Sequence, residues 1–167
     1  MDSINKIHYD DSPTIVKFDG ILKVWYRNGK LHRDNDQPAF IFGDVKMWYQ
    51  NGLLHRDNDQ PAIISGKLTE WRQYGKIHRD NDQPAVIFND IKGWYHHGLY
   101  HRDNDRPAVI HNGYQYWYQH GLLHRDNDKP AVINGKGQYW FQKGKINRDN
   151  NQPAVIRIDG TQTWYCR

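Results

Sequence analysis

The sequence predicts an all-β protein: an elongated, twisted, single-layer antiparallel meander of tandem 23-residue hairpin repeats. Three observations carry this. Tryptophan recurs at Trp25, Trp48, Trp71, Trp94, Trp117 and Trp140, always 23 residues apart. Each copy alternates short β-branched or aromatic runs with turn-forming dipeptides, the pattern of strands in a meander. No window places apolar residues at helical spacing.

A period of this length marks an array of stacked units whose terminal copies are atypical. Residues 1–167 read as a single repeat domain. Residues 1–24 form a degenerate N-terminal half-repeat cap, carrying Ile7-His8-Tyr9-Asp10-Asp11-Ser12-Pro13 in place of a full motif. Residues 25–160 hold six tandem 23-residue repeats, and residues 161–167 a C-terminal half-repeat whose tryptophan, Trp164, is displaced by one position.

Within a repeat, Trp-Tyr heads one strand and a turn glycine follows it, at Gly29, Gly52, Gly75, Gly98, Gly121 and Gly144. Next comes His-Arg-Asp-Asn-Asp, starting at His32, His55, His78, His101 and His124; the last copy reads Asn147-Arg148-Asp149-Asn150-Asn151. Pro38, Pro61, Pro84, Pro107, Pro130 and Pro153 are each followed by alanine, and the chain has no other alanine. Runs such as Val86-Ile87 then supply a β-branched strand. Asp19-Gly20, Asn112-Gly113, Asn134-Gly135 and Asp159-Gly160 suit tight hairpin turns that need positive φ. About two strands per repeat result. Because neighbouring strand residues face opposite ways, Trp48 and Tyr49 are expected to build two aromatic columns, one on each face.

A β-solenoid is the alternative, with one coil per repeat. Stacked coils would bring Asp34, Asp57, Asp80, Asp103 and Asp126 into one column at ~4.8 Å spacing. Like charges that close repel by about 1 kcal/mol in water and several times more near a protein surface. Two strands per repeat double the spacing, so the meander is favoured.

Composition agrees with an extended array. The chain of 167 residues is only 37% hydrophobic, with a mean hydropathy of -1.00, yet 14% of it is aromatic and it holds seven tryptophans. Disordered chains are poor in aromatics, so the low hydropathy reflects a ribbon that exposes much of its surface. No stretch reaches the length of a transmembrane segment, and Met1–Lys6 lacks the apolar run of a secretory signal. With the single Cys166 unable to form an internal disulfide, the expected setting is intracellular, cytoplasmic. The net charge of +4 is too mild to announce a nucleic-acid binder.

Trp48-Tyr49-Gln50-Asn51-Gly52-Leu53-Leu54-His55 resembles the aromatic-x-x-Gly-x-x-His core of MORN repeats, and the period matches that family. The array is most similar to divergent MORN-variant repeats of bacteria and large DNA viruses, with Trp-Tyr-x-x-Gly-x-x-His-Arg and Pro-Ala-Val; the resemblance covers residues 7–165. It implies an elongated sheet of hairpins acting as a scaffold, dimerising, or binding proteins or membrane lipid. The sequence departs from the family after the histidine, where the usual glycine is Arg33, Arg56, Arg79, Arg102, Arg125 or Arg148.

The chemistry-bearing motifs read as structural. His-Arg-Asp occurs in kinase catalytic loops, but here it recurs with no phosphate-binding loop and no Asp-Phe-Gly. Asp34 and Asp36, Asp57 and Asp59, Asp80 and Asp82, Asp103 and Asp105, and Asp126 and Asp128 offer hard oxygen ligands for a divalent cation. They lack the glycine bend and bidentate Glu that calcium sites use. The expected role is local: Asp and Asn bond turn amides, and each Arg pairs with an Asp of its own or an adjacent repeat. His96, His97 and His101 form a local cluster, read as exposed polar residues rather than a zinc site. The Asp-rich motifs are net negative and the Trp-Tyr-Gly turns basic, which predicts one acidic and one basic ribbon edge.

No catalytic residue, no cofactor and no committed metal site follow from the sequence. The expected function is a non-enzymatic repeat scaffold or protein–protein interaction module, with a homo-oligomer among the expected assemblies. The alternative is a binding module for anionic lipid, nucleic acid such as RNA, or divalent cations.

Overall fold

The computed structural model describes residues 11–165. Ile7 to Asp10 of the N-terminal half-repeat, and Cys166, lie outside the described residues. Fourteen strands form one antiparallel sheet in strict chain order, from Ile15–Lys17 to Gln162–Thr163. Every pairing is antiparallel between chain neighbours, so the meander holds and the solenoid does not.

Each repeat also contains a second hairpin. In the repeat of Trp48, Phe40–Phe42 and Val45–Met47 enter the sheet, whereas Tyr49–Gln50 and Leu53–Leu54 pair only with each other. Six such small hairpins line up beside the sheet. The tryptophan sits at the junction and serves both: Trp48 N–H donates to the Ala62 carbonyl, and its own carbonyl accepts from His55 N–H. The Trp-Tyr strand therefore leaves the meander at the tryptophan, and the turn glycine closes a separate hairpin. Successive small hairpins touch through one backbone bond each, such as Gly52 N–H to the Leu31 carbonyl at 2.8 Å.

The turns follow their residue chemistry. Asn51 (φ 51°) and Gly52 (φ 85°) both adopt the left-handed conformation of a type I′ turn. Asp19-Gly20 and Asn112-Gly113 do the same in the sheet. Two expected turns are displaced. Asn134 remains in its strand and pairs with Gly137, so the bend falls on Gly135-Lys136. Its Oδ1 accepts Lys136 N–H, which favours this longer strand. At the last turn only Gly160 is left-handed, and Gly160 N–H donates to the Arg157 carbonyl, a wider loop than a two-residue bend.

The core is a thin seam at the sheet–hairpin junction. All six alanines are fully buried and the six periodic tryptophans are nearly so, while Trp164 is half exposed. A larger residue than alanine has no space there, which explains its strict recurrence. The second aromatic row is interrupted. Met47 pairs with Tyr49 across the seam, but the next copy substitutes Glu70 and Arg72, which form an ion pair instead. In the copy after that, Gly93 leaves room for Tyr95 and Tyr100, whose rings lie 4.2 Å apart.

The outer face of the sheet carries one regular row. Cross-strand register joins Ile41, Lys46, Ile64, Thr69, Ile87, Lys92, Ile110 and Gln115 in sequence, alternating isoleucine with a polar residue. The acidic loops and the basic hairpin turns both lie beyond the same edge of the sheet. The expected pair of opposite acidic and basic edges is therefore not formed, because the small hairpin folds back before the loop begins.

Candidate functional site

The His-Arg-Asp-Asn-Asp loops line one edge, and the histidine, the arginine and both aspartates of the motif each have a defined bond. Asp57-Asn58-Asp59-Gln60 is itself a tight turn: Gln60 N–H donates to the Asp57 carbonyl, with Asn58 and Asp59 both at positive φ. Asn and Asp tolerate that conformation better than other non-glycine residues. Turning there aims the two carboxylates at different partners.

The second aspartate receives the arginine of the following repeat. Arg56 Nε and Nη2 donate to the two oxygens of Asp36 at 2.7 and 2.8 Å, and Nη1 donates to the Pro61 carbonyl at 3.3 Å. The same guanidinium lies 3.9 Å from the Trp48 ring centroid. Trp48 Nε1 in turn donates to the Asp36 carbonyl at 3.0 Å. This closed set of cation–π contact, bidentate pair and indole bond recurs for Arg79, Arg102, Arg125 and Arg148 with Asp59, Asp82, Asp105 and Asp128. At the first repeat Asp11 takes the part of Asp36, bonding Arg33 and accepting Trp25 Nε1 at its carbonyl. The arginine bonds hold the carboxyls of Asp36, Asp59, Asp82 and Asp128 below the usual range, and that of Asp105 at about 2.

The first aspartate takes a histidine and, in most copies, a side-chain amide. His55 Nε2 lies 3.1 Å from Asp57, and Gln50 donates to the other oxygen at 2.9 Å, lowering its pKa. Gln73, Gln119 and Gln142 repeat this bond, and Arg27 makes it to Asp34. The glutamine recurs at the 23-residue interval at Gln50 and Gln73 and again at Gln119 and Gln142, so its signal is present in the sequence.

The histidine points the other way as well. Asn51 N–H donates to His32 Nδ1 at 3.0 Å, and Tyr74, His97, His120 and Lys143 do so to His55, His78, His101 and His124. Nδ1 is thus an acceptor, which puts the imidazole proton on Nε2, facing the aspartate. Three of these turn residues stack on the same histidine: Tyr74 on His55, His97 on His78, and His120 on His101, at 4.4–4.5 Å between ring centroids. Stacking and the N–H bond offset the cost of holding bulky residues at positive φ. In the last copy the two residues that link forward elsewhere, histidine and second aspartate, are Asn147 and Asn151.

Open polar clefts lie between adjacent loops. One, between the loops of His101 and His124, holds about 430 Å³; others hold about 260 Å³. The ten aspartates considered as cation ligands do not act in pairs, since the second of each Asp-Asn-Asp is held by arginine and the first faces the cleft. Asp57, Asp80, Asp103 and Asp126 are each more than 60% exposed. They form a row of carboxylates at repeat spacing. No family model matches the chain, and neither a curated protein nor a solved structure does. No helix is long and apolar enough to cross a membrane among the described residues.

Proposed function

We propose that the protein is a non-enzymatic repeat scaffold that presents one surface at regular intervals to a protein partner or to a second copy of itself. The observation that carries this is the engagement of the motif histidines and arginines in the ladder. Each His–Asp pair resembles a base and its orienting carboxylate, but the histidine lone pair is occupied by a turn N–H, and the arginines are clamped between indole and carboxylate. What remains outward is periodic: the carboxylates along the loop edge and the isoleucine/polar row on the sheet. A periodic surface suits an extended or multivalent partner, where repeated weak contacts add through avidity. The resemblance to MORN-repeat arrays supports the same reading.

The test uses the full chain and a variant with Asp57, Asp80, Asp103 and Asp126 changed to Asn. Retention of a specific host protein, or self-association in light scattering, is expected for the native chain and reduced for the variant. A strictly monomeric chain at high concentration that also retains no protein would overturn the proposal.

A second reading rests on the small-hairpin tips, where Lys30, Leu53, Lys76, Leu99, Leu122 and Lys145 form an exposed basic-apolar row. Such a row suits an anionic surface, either lipid headgroups or nucleic acid. Co-sedimentation with anionic vesicles or RNA at low salt would favour it, and its absence would remove it.

A further inference from the structure

One copy of the repeat breaks the pattern in a way the ladder does not explain. At the position of Gln50, Gln73, Gln119 and Gln142 stands His96, and it makes no bond to Asp103, the aspartate its equivalents hold. Asp103 is accordingly 79% exposed, against 63–64% for Asp57, Asp80 and Asp126. His96 turns instead toward His78 of the preceding repeat and His97 of its own turn, with ring centroids 5.0 and 4.3 Å away. One nitrogen from each of His78, His96 and His97 lies within 4.8 Å of the other two. His101, grouped with His96 and His97 by sequence, stands farther from His96, at 6.0 Å.

We propose that His78, His96 and His97 bind one divalent transition-metal ion of the class that prefers imidazole: zinc, copper, nickel or cobalt. The site bridges two repeats. His78 is 3% exposed, so it is a fixed ligand, whereas His96 and His97 are exposed and free to adjust. A tetrahedral shell with Zn–N bonds of about 2.0–2.1 Å needs nitrogens roughly 3.3 Å apart. Closing the cluster therefore takes up to about 1.5 Å of approach, and the His97 ring, stacked parallel on that of His78, also turns out of the stack so that its lone pair points at the ion, a movement open to an exposed side chain. Water completes the shell. His78 is already oriented as metal-ligating histidines are, with Nε2–H directed at a carboxylate, Asp80, at 3.1 Å. Its Nδ1 lone pair is the one that ligates. It exchanges the bond from His97 N–H for the metal, and that N–H, at an exposed turn, then bonds water.

The other copies supply the test variants. His96→Gln installs the residue of four other repeats, and His97→Asn that of the Asn28 and Asn51 turns, so both keep the fold. His78 is left intact because it links the repeats. Tag-free protein is titrated with cobalt, followed by its visible absorption, and then with competing zinc. One ion per chain is expected, with a raised melting temperature in zinc that chelator reverses. H96Q and H97N should each weaken binding at least tenfold, and His120→Asn should leave it unchanged. No binding up to millimolar cobalt, full affinity in H96Q, or an equal loss in H120N would overturn the assignment.

Discussion

Arg79→Lys tests whether the arginines bind the array together. Arg79 donates to both oxygens of Asp59 at 2.7 and 2.9 Å and to the Pro84 carbonyl at 3.2 Å, and it lies 3.8 Å from the Trp71 ring centroid. Its side chain is 15% exposed and that of Asp59 is 51% exposed. The half-solvated pair is worth only about 1 kcal/mol. The proline-carbonyl bond adds about 1 kcal/mol, and the stacked guanidinium about 1 kcal/mol. Lysine keeps the charge but cannot form the planar fork, the third bond and the stack together. R79K should therefore lose about 2 kcal/mol and Arg79→Ala about 3 kcal/mol, read from urea unfolding by tryptophan fluorescence and circular dichroism. A double-mutant cycle with Asp59→Asn should show coupling of at least 0.5 kcal/mol. If both arginine variants unfold within 0.5 kcal/mol of the native chain, the assigned role is wrong.

Other consequences follow from the same contacts. Asp36, Asp59, Asp82, Asp105 and Asp128 have depressed pKa values in the folded state, so their contribution is fully present above the ordinary value of 3.8 and is lost as pH falls below it through each folded value, which for Asp105 is about 2. Melting temperature should drop steeply across that window, and Asp105→Asn should flatten the drop while lowering stability at neutral pH. Ala85→Val overfills a fully buried site and should cost about 1–3 kcal/mol by chemical denaturation. Gly93→Met should destabilise, because a Cβ there meets Tyr95 at 3.0 Å. Adding Tyr100→Leu, which recreates the Met47, Tyr49 and Leu54 set, should recover most of the loss. Gly137→Ala should be among the most damaging glycine changes in thermal melts, since φ is 150° and a Cβ would run into the Ile156 carbonyl.

Much of the fold was legible because the repeat multiplies each weak signal. The tryptophan interval, the paired turns and the Pro-Ala step identify the antiparallel meander, and like-charge repulsion argues against the solenoid. The small hairpin was not legible, since Asn51-Gly52 suits a turn inside the sheet as well as one outside it. Its separation depends on Trp48 accepting from His55 N–H within the small hairpin while its own N–H donates to the Ala62 carbonyl beside the next sheet strand, a pairing no local pattern encodes. The arginine's role was visible in kind but not in partner: Arg56 reaches Asp36, 20 residues earlier, because adjacent loops stack. The pairing of His78 with His96 and His97 needed the same stacking, whereas sequence proximity pointed to His101. Exchanges such as Glu70 with Arg72 look like decay of the repeat until both are placed on one seam.

Removing one whole repeat tests the account most directly. Deleting residues 117–139 joins Tyr116 to Trp140, so the residue before the tryptophan is unchanged. Arg148 should then clamp Asp105, Trp140 should bond the Asp105 carbonyl, and Lys143 N–H should meet His101. The shortened chain should stay folded, with a maximum dimension in small-angle X-ray scattering reduced by about 9.6 Å, two strand spacings. An unfolded chain, or a folded one of unchanged length, would contradict the ladder of interchangeable repeats.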